Sequence, residues 1–414
     1  ARPATGTNRP PPVKPAYSHN VDLVAYHDLE ARPAFKMALQ VVEGRWYLYL
    51  AHFWTPGWSV VEVTDPARPE LLEFLPGPPN TWTLQVQVAD GKMITSLERI
   101  PPGWGGDPEG PHEEGIYIWD VAEPARPRRL GHWRTGASGT HRNHYDGGRY
   151  VHCAGGAPGF RGNIYRIVDI ADPERPVEVG RWWLPEQWEA GGGSPSFPRV
   201  GLHGPAYALG QRAYLSYMEG GMIVLDISDP SLPRLVSRLT FSPALGTSIG
   251  THTVVPKPKL GLAVVNSEAI RERAEEPMNY AALVDIRDEK KPRVLSFLPV
   301  PEPPPGAPYR SFAERGGRFG PHNQHHPQGQ PHLEDREDRV YLTYFNAGLR
   351  IYDIGNPHHP REVAWYLPPD PAERRGPLPE TLVVQSEDVL VDSRGFIYLT
   401  DKNHGLHILR CTLP

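Results

Sequence analysis

One phrase recurs six times along this 414-residue chain, and it constrains the fold more than anything else in it. An apolar run ends in an acidic residue, a tight turn follows, and a Pro opens the next apolar run. The copies read SVVEVTDPARP at 59–69, IYIWDVAEPARP at 116–127 and YRIVDIADPERP at 165–176. They return as MIVLDISDPSLP at 222–233, AALVDIRDEKKP at 281–292 and LRIYDIGNPHHP at 349–360. The Pro restricts φ, and an Asp or Asn side chain can close the turn on its own backbone. A strand–turn–strand unit repeated in this way buries its faces only against copies of itself.

Two further strand candidates precede each phrase, as at 86–89 then 93–97, or 206–209 then 213–217. Four strands per unit, at intervals of about 50 to 70 residues, predict the blades of a β-propeller. Six units are complete. A seventh begins at Thr381 and runs out at 406–410, one strand short, while the strand-like 23–26 belongs to no unit. The fold expected is therefore all-β: a seven-bladed β-propeller, its ring closed by an N-terminal strand that completes the last blade. Residues 1–16 read as a Pro-rich arm and 17–414 as a single propeller domain.

The phrases Ile223-Val224-Leu225-Asp226 and Leu283-Val284-Asp285 resemble the LVIVD-repeat family of β-propellers. Pro79-Asn80-Thr81-Trp82 and Gly320-Pro321-His322-Asn323 are similar to a bacterial subgroup of it. The resemblance covers nearly the whole chain. It implies the propeller fold and little about chemistry.

Composition narrows the function. The 49 Pro and 41 Gly argue against a helical protein. A formal charge of -5 with mixed signs leaves no basic stripe for nucleic acid. No apolar run is long enough for a transmembrane segment. Cys153 and Cys411 are too few and too far apart for a disulfide framework or a zinc ribbon, and read as small buried residues. The chain opens Ala1-Arg2-Pro3, which fits either a processed export signal or a cut end, so cytoplasmic and exported locations both stay open.

The chemistry-bearing signal is a second repeat. Gly139-Thr140-His141, Gly201-Leu202-His203, Gly250-Thr251-His252 and Gly320-Pro321-His322 occupy the same place in four successive units, where the inner strand opens. Ring closure brings these imidazoles to one axis, which predicts a site for one transition metal ion held by His141, His203, His252 and His322. The donor set favours Fe(II) or Cu and leaves Zn open. A metal-free polar plug of the channel is the competing reading.

In the last blade Glu387 takes the equivalent slot, either as a ligand or as an acceptor that orients an imidazole. Arg142 and His325 are further catalytic candidates, and His325 or His326 competes with His322 for the ligand role. Glu268 and Tyr280, beside a long loop, are within reach of the mouth of the site but are expected to face solvent. Blades one and two carry apolar or amide residues in the slot and are expected to form the substrate side. Trp182-Trp183, Trp54, Trp58 and Trp104 are candidates for a hydrophobic pocket, the first pair being expected to pack between blades.

The long insertions 99–115, 184–200, 267–279 and 300–319 fall on the face where these motifs open. The expectation is a metal-dependent enzyme, foremost an oxidoreductase acting on a small organic molecule. Metal-assisted hydrolysis or lyase chemistry and a non-catalytic interaction scaffold are the alternatives. The axial four-histidine arrangement is similar in architecture to that of carotenoid-cleavage oxygenases, whose sequence signatures this chain lacks.

Overall fold

The computed structural model describes residues 16–193, 199–241, 245, 247–277 and 279–413. Seven antiparallel sheets follow one another around an axis. Blade one is Ala34–Val42, Arg45–His52, Gly57–Glu62 and Glu70–Pro76, ordered from the axis outwards, and later blades repeat the pattern. The repeated phrase supplies the two outer strands.

Its acidic residue does what the sequence suggests. The side chains of Asp120, Asp169, Asp226, Asp285 and Asp353 each accept from the backbone N–H two residues on, at 2.9–3.0 Å. Each of these outer pairs also carries a register shift at one place, as between Ile118 and Trp119 or Val224 and Leu225. Such bulges sharpen the local twist of a strand pair.

Blades pack face to face, so their strands are apolar on both sides instead of alternating. Ala38, Tyr49, Val60, Val86, Met93 and Tyr117 form one buried cluster across blades one and two. Cys153 is buried with Ile94 and Val151 between blades two and three, whereas Cys411 is half-buried; both are free thiols. Among the described residues no helix is long and apolar enough to cross a membrane.

The ring closes through the N-terminus. Val21–His27 pairs antiparallel with Leu406–Cys411 and becomes the outer strand of blade seven. A strand the sequence did not reveal, Tyr17–His19, adds to the outer edge of blade six against Arg361–Leu367. Three residues are too few to show a period. The predicted arm lies outside the described residues except for Ala16, whose N–H donates to Leu367 O.

Blade six departs from regularity at the axis. Its inner segment has a single bridge, Gln324 to Leu342, with His322 N–H donating to Thr343 O at 2.9 Å and His325 N–H to Tyr341 O at 3.0 Å. That backbone pairing fixes which way His322 and its neighbours face.

Candidate metal centre

The glycine of the first Gly-x-His motif works through backbone proximity. Gly139 has φ +116°, and a Cβ there would stand 2.2 Å from Leu97 O and 2.7 Å from Glu98 Cα. Only glycine lets blade three approach the end of Lys92–Arg99 so closely. The approach delivers His141 to Glu98, with Nδ1 2.6 Å from Oε2. Gly320 is confined by side chains, since its Cβ would lie 2.8 Å from Ala269 Cβ, and it sets His322 beside the strand that ends at Glu268.

The four imidazoles then follow one another around the axis. Ring centroids are 4.5 Å apart for His141 and His203, 5.1 Å for His203 and His252, and 4.7 Å for His252 and His322. In His141, His252 and His322 the contacts of Nδ1 set the tautomer. A carboxylate only accepts, so the Nδ1 proton of His141 points at Glu98 and Nε2 keeps its lone pair. His141 Nε2 is buried with no hydrogen-bond partner. His322 Nδ1 lies 2.9 Å from Glu387 O and 3.2 Å from Glu387 Oε2, acceptors both. His252 Nδ1 lies 2.7 Å from Thr253 Oγ1, while its Nε2 accepts from Arg142 Nη2 at 3.1 Å. Outer acceptors of this kind fix which nitrogen is free to bind a metal.

Glu268 stands at the centre of the group. Its Oε2 is 3.1 Å from His203 Nε2 and 3.4 Å from His252 Nε2, and its Oε1 is 3.7 Å from His322 Nε2. Ligands around a tetrahedral ion with bonds of about 2.0–2.1 Å are separated by roughly 3.3 Å. His203, His252 and Glu268 therefore have the spacing of a coordination polyhedron, and their donor atoms all lie within 4.8 Å of one another. Arg318 Nη1 donates to Glu268 Oε1 at 2.9 Å and holds the carboxylate in place.

Burial keeps His203 and His252 neutral. It lowers His203 to about 4, helped by the neighbouring His141, and carries His252 well below its ordinary value. Burial opposes ionisation of Glu387, but Lys402 and His322 outweigh it and hold that carboxyl at about 2. Lys402 Nζ reaches Glu387 Oε1 at 2.9 Å and lies 4.9 Å from the centre of the Trp104 ring.

Above the ring opens a cavity of about 270 Å³. Phe35, Phe53, Trp82, Leu84 and Trp104 form its apolar wall, all from blades one and two. His141, His203, His322, Glu268, Arg142 and Arg318 supply the polar side. An apolar chamber with a few convergent polar groups is the usual shape of a small-molecule site.

The LVIVD repeat model matches residues 208–240 and 336–367, within blades four and six. The chain is a β-propeller that carries LVIVD repeats. No curated protein sequence matches it. Among solved structures, this LVIVD-repeat propeller is similar to the periplasmic gluconolactonase of Pseudomonas aeruginosa. Identity is 12%, coverage 88% of this chain and 99% of the other, and the TM-score 0.57. It is also similar to a hypothetical selenium-binding protein from Sulfolobus tokodaii, at 13% identity, 87% and 89% coverage and a TM-score of 0.54. The Cps50 (Swd1) propeller domain of Myceliophteria thermophila gives 10%, 92% and 99%, and 0.53. These are likenesses of fold.

Several expectations need correction in this LVIVD-repeat propeller. His325 is not in the cavity: its Nε2 pairs with Glu334 O at 2.8 Å and its Nδ1 accepts from Val391 N at 3.1 Å, so backbone atoms occupy both ring nitrogens. His326 stacks on Tyr207, 4.2 Å away, leaving His322 as the blade-six histidine of the ring. Glu268 and Tyr280 do not face solvent; they are 5% and 2% exposed. Trp58 packs between blades, and Trp82, not singled out in the sequence, lines the cavity instead. Glu98, Arg318 and Lys402 also escaped notice. Glu98 and Glu268 share a signal: each is an acidic residue at the elaborated end of a second strand, Lys92–Arg99 and Leu262–Glu268.

Proposed function

We propose that this propeller is a metal-dependent enzyme, an oxidoreductase that acts on a small organic substrate held in the aromatic cavity. The observation that carries the reading is the set His203, His252 and Glu268, two imidazoles and one carboxylate at ligand spacing. Two histidines and a carboxylate with positions left open are the donor set of non-haem Fe(II) oxygenases. His141 and His322 flank the set and offer further nitrogen donors, which also suits Cu; Zn remains compatible with the same ligands. When bound, such an ion supplies redox or Lewis-acid chemistry at the cavity floor.

The chain's own residues do the rest. Glu98, Glu387 and Thr253 orient His141, His322 and His252. Arg318 holds Glu268, and Phe35, Phe53, Trp82 and Trp104 exclude water and seat an apolar substrate.

The test is oxygen consumption by protein loaded with Fe(II) or Cu(II), measured against a panel of small aromatic compounds. Turnover that disappears in Glu268→Ala supports the reading. Turnover only with Zn(II), on esters or lactones, would replace it with metal-assisted hydrolysis.

A further inference from the structure

Three buried cations line the cavity, and one has no counter-ion. Arg318 pairs with Glu268 and Lys402 with Glu387, at 2.9 Å each. Arg142 is 3% exposed and makes no ion pair with a carboxylate among the described residues. Its Nη2 donates to His252 Nε2, while its Nε and Nη1 are buried without a hydrogen-bond partner. The guanidinium lies 5.1 Å from the centre of the Phe35 ring and borders the cavity.

A guanidinium does not shed its charge in a protein, and an unpaired buried charge is costly. The Nε and Nη1 N–H groups lack an acceptor, and a carboxylate supplies charge-assisted acceptors for a guanidinium. The rest of the cavity agrees. Its carboxylates, Glu98, Glu268 and Glu387, equal its cations, Arg142, Arg318 and Lys402, in number. A divalent ion beside Glu268 would leave two positive charges in excess, which an anionic ligand offsets. The facing wall of Phe35, Phe53 and Trp82 suits a flat apolar body.

We infer that Arg142 anchors the carboxylate of a small, apolar-bodied organic acid, and that this is the substrate class of the site. The inference rests on the enzyme reading for the word substrate, whereas the anchoring itself needs no metal. Metal and acid are also coupled. An ion on His252 Nε2 takes the lone pair that Arg142 Nη2 uses, which frees a further N–H for the carboxylate. Each ligand then raises affinity for the other by the same factor.

The experiment uses full-length protein stripped of metal, with benzoate as probe and benzyl alcohol as its neutral counterpart, followed by tryptophan fluorescence and calorimetry. Benzoate should bind more tightly than benzyl alcohol. Arg142→Met should weaken benzoate at least roughly 10-fold and leave benzyl alcohol nearly unchanged; Arg142→Lys, which keeps the charge and loses the fork, should fall between. Benzoate binding no tighter than benzyl alcohol in the unaltered protein overturns the inference, and that comparison needs no variant to fold. Unchanged benzoate affinity in a folded Arg142→Met protein overturns it as well. Repeating the titration with Zn(II) separates the two readings: tight benzoate binding that Zn(II) leaves unaltered supports the anchor while removing support for the metal.

Discussion

His203 Nε2 and Glu268 Oε2 lie 3.1 Å apart although 65 residues separate them in the chain. One comes from the segment leading into blade four and the other from the end of Leu262–Glu268 in blade five. Replacing His203 or His252 by Ala, or Glu268 by Ala, should lower affinity for a transition metal by more than the 10- to 100-fold typical of an orienting group. Competition against a chromogenic chelator measures this. Variants that hold metal as tightly as the unaltered protein would remove these residues from the coordination sphere.

Glu387 should behave differently, because it touches His322 at Nδ1, away from the axis. Glu387→Gln keeps one acceptor and removes the charge, so metal should still bind, roughly 10- to 100-fold more weakly. The melting temperature should also fall, since Lys402 loses the carboxylate it meets at 2.9 Å in a buried setting. Complete loss of metal binding would make Glu387 itself a ligand.

The repeated phrase made the blades legible because each copy carries its own turn-closing acid, and the Gly-x-His register made the histidines legible because closure superimposes equivalent positions. The role of Glu98 and Glu268 was hidden: most blades carry no acid at the end of the second strand, so no period announces them. Arg318 sits at the end of a long insertion and Lys402 in the last blade, where no register predicts a direction for the side chain. His325 misled for the opposite reason. It stands three residues from His322, yet backbone pairing to Tyr341 turns it toward Glu334 and Val391.

Removing residues up to Ala31 should destabilise the whole ring. The truncation takes away Val21–His27 and exposes the edge of Leu406–Cys411, and it also strips Tyr17–His19 from blade six. A clear drop in melting temperature with increased aggregation is the expected outcome. A truncated chain that melts with the full-length protein would show that closure contributes nothing.

Stability should fall with acid. Burial lowers His52 and His144 to about 4 and His152 and His325 to about 3. In the unfolded chain each titrates near ~6.5. Between those values the unfolded state binds protons that the folded state refuses, so stability declines as pH drops through about 6.5 towards 4 and is level above about 7. With all four engaged, the slope is on the order of 5 kcal/mol per pH unit. Urea midpoints at pH 7.5 and 5.5 check the sign; equal midpoints would contradict it.

The most direct test of the metal centre is elemental analysis of untagged protein purified without chelators, before and after incubation with Fe(II), Cu(II) and Zn(II). The geometry of His203, His252 and Glu268 predicts close to one transition-metal ion per chain, with occupancy sharply reduced in the double variant His203→Ala, His252→Ala. Protein that stays metal-free after all three incubations, while folded and monodisperse, would contradict the account and leave the histidine ring as a polar plug of the channel.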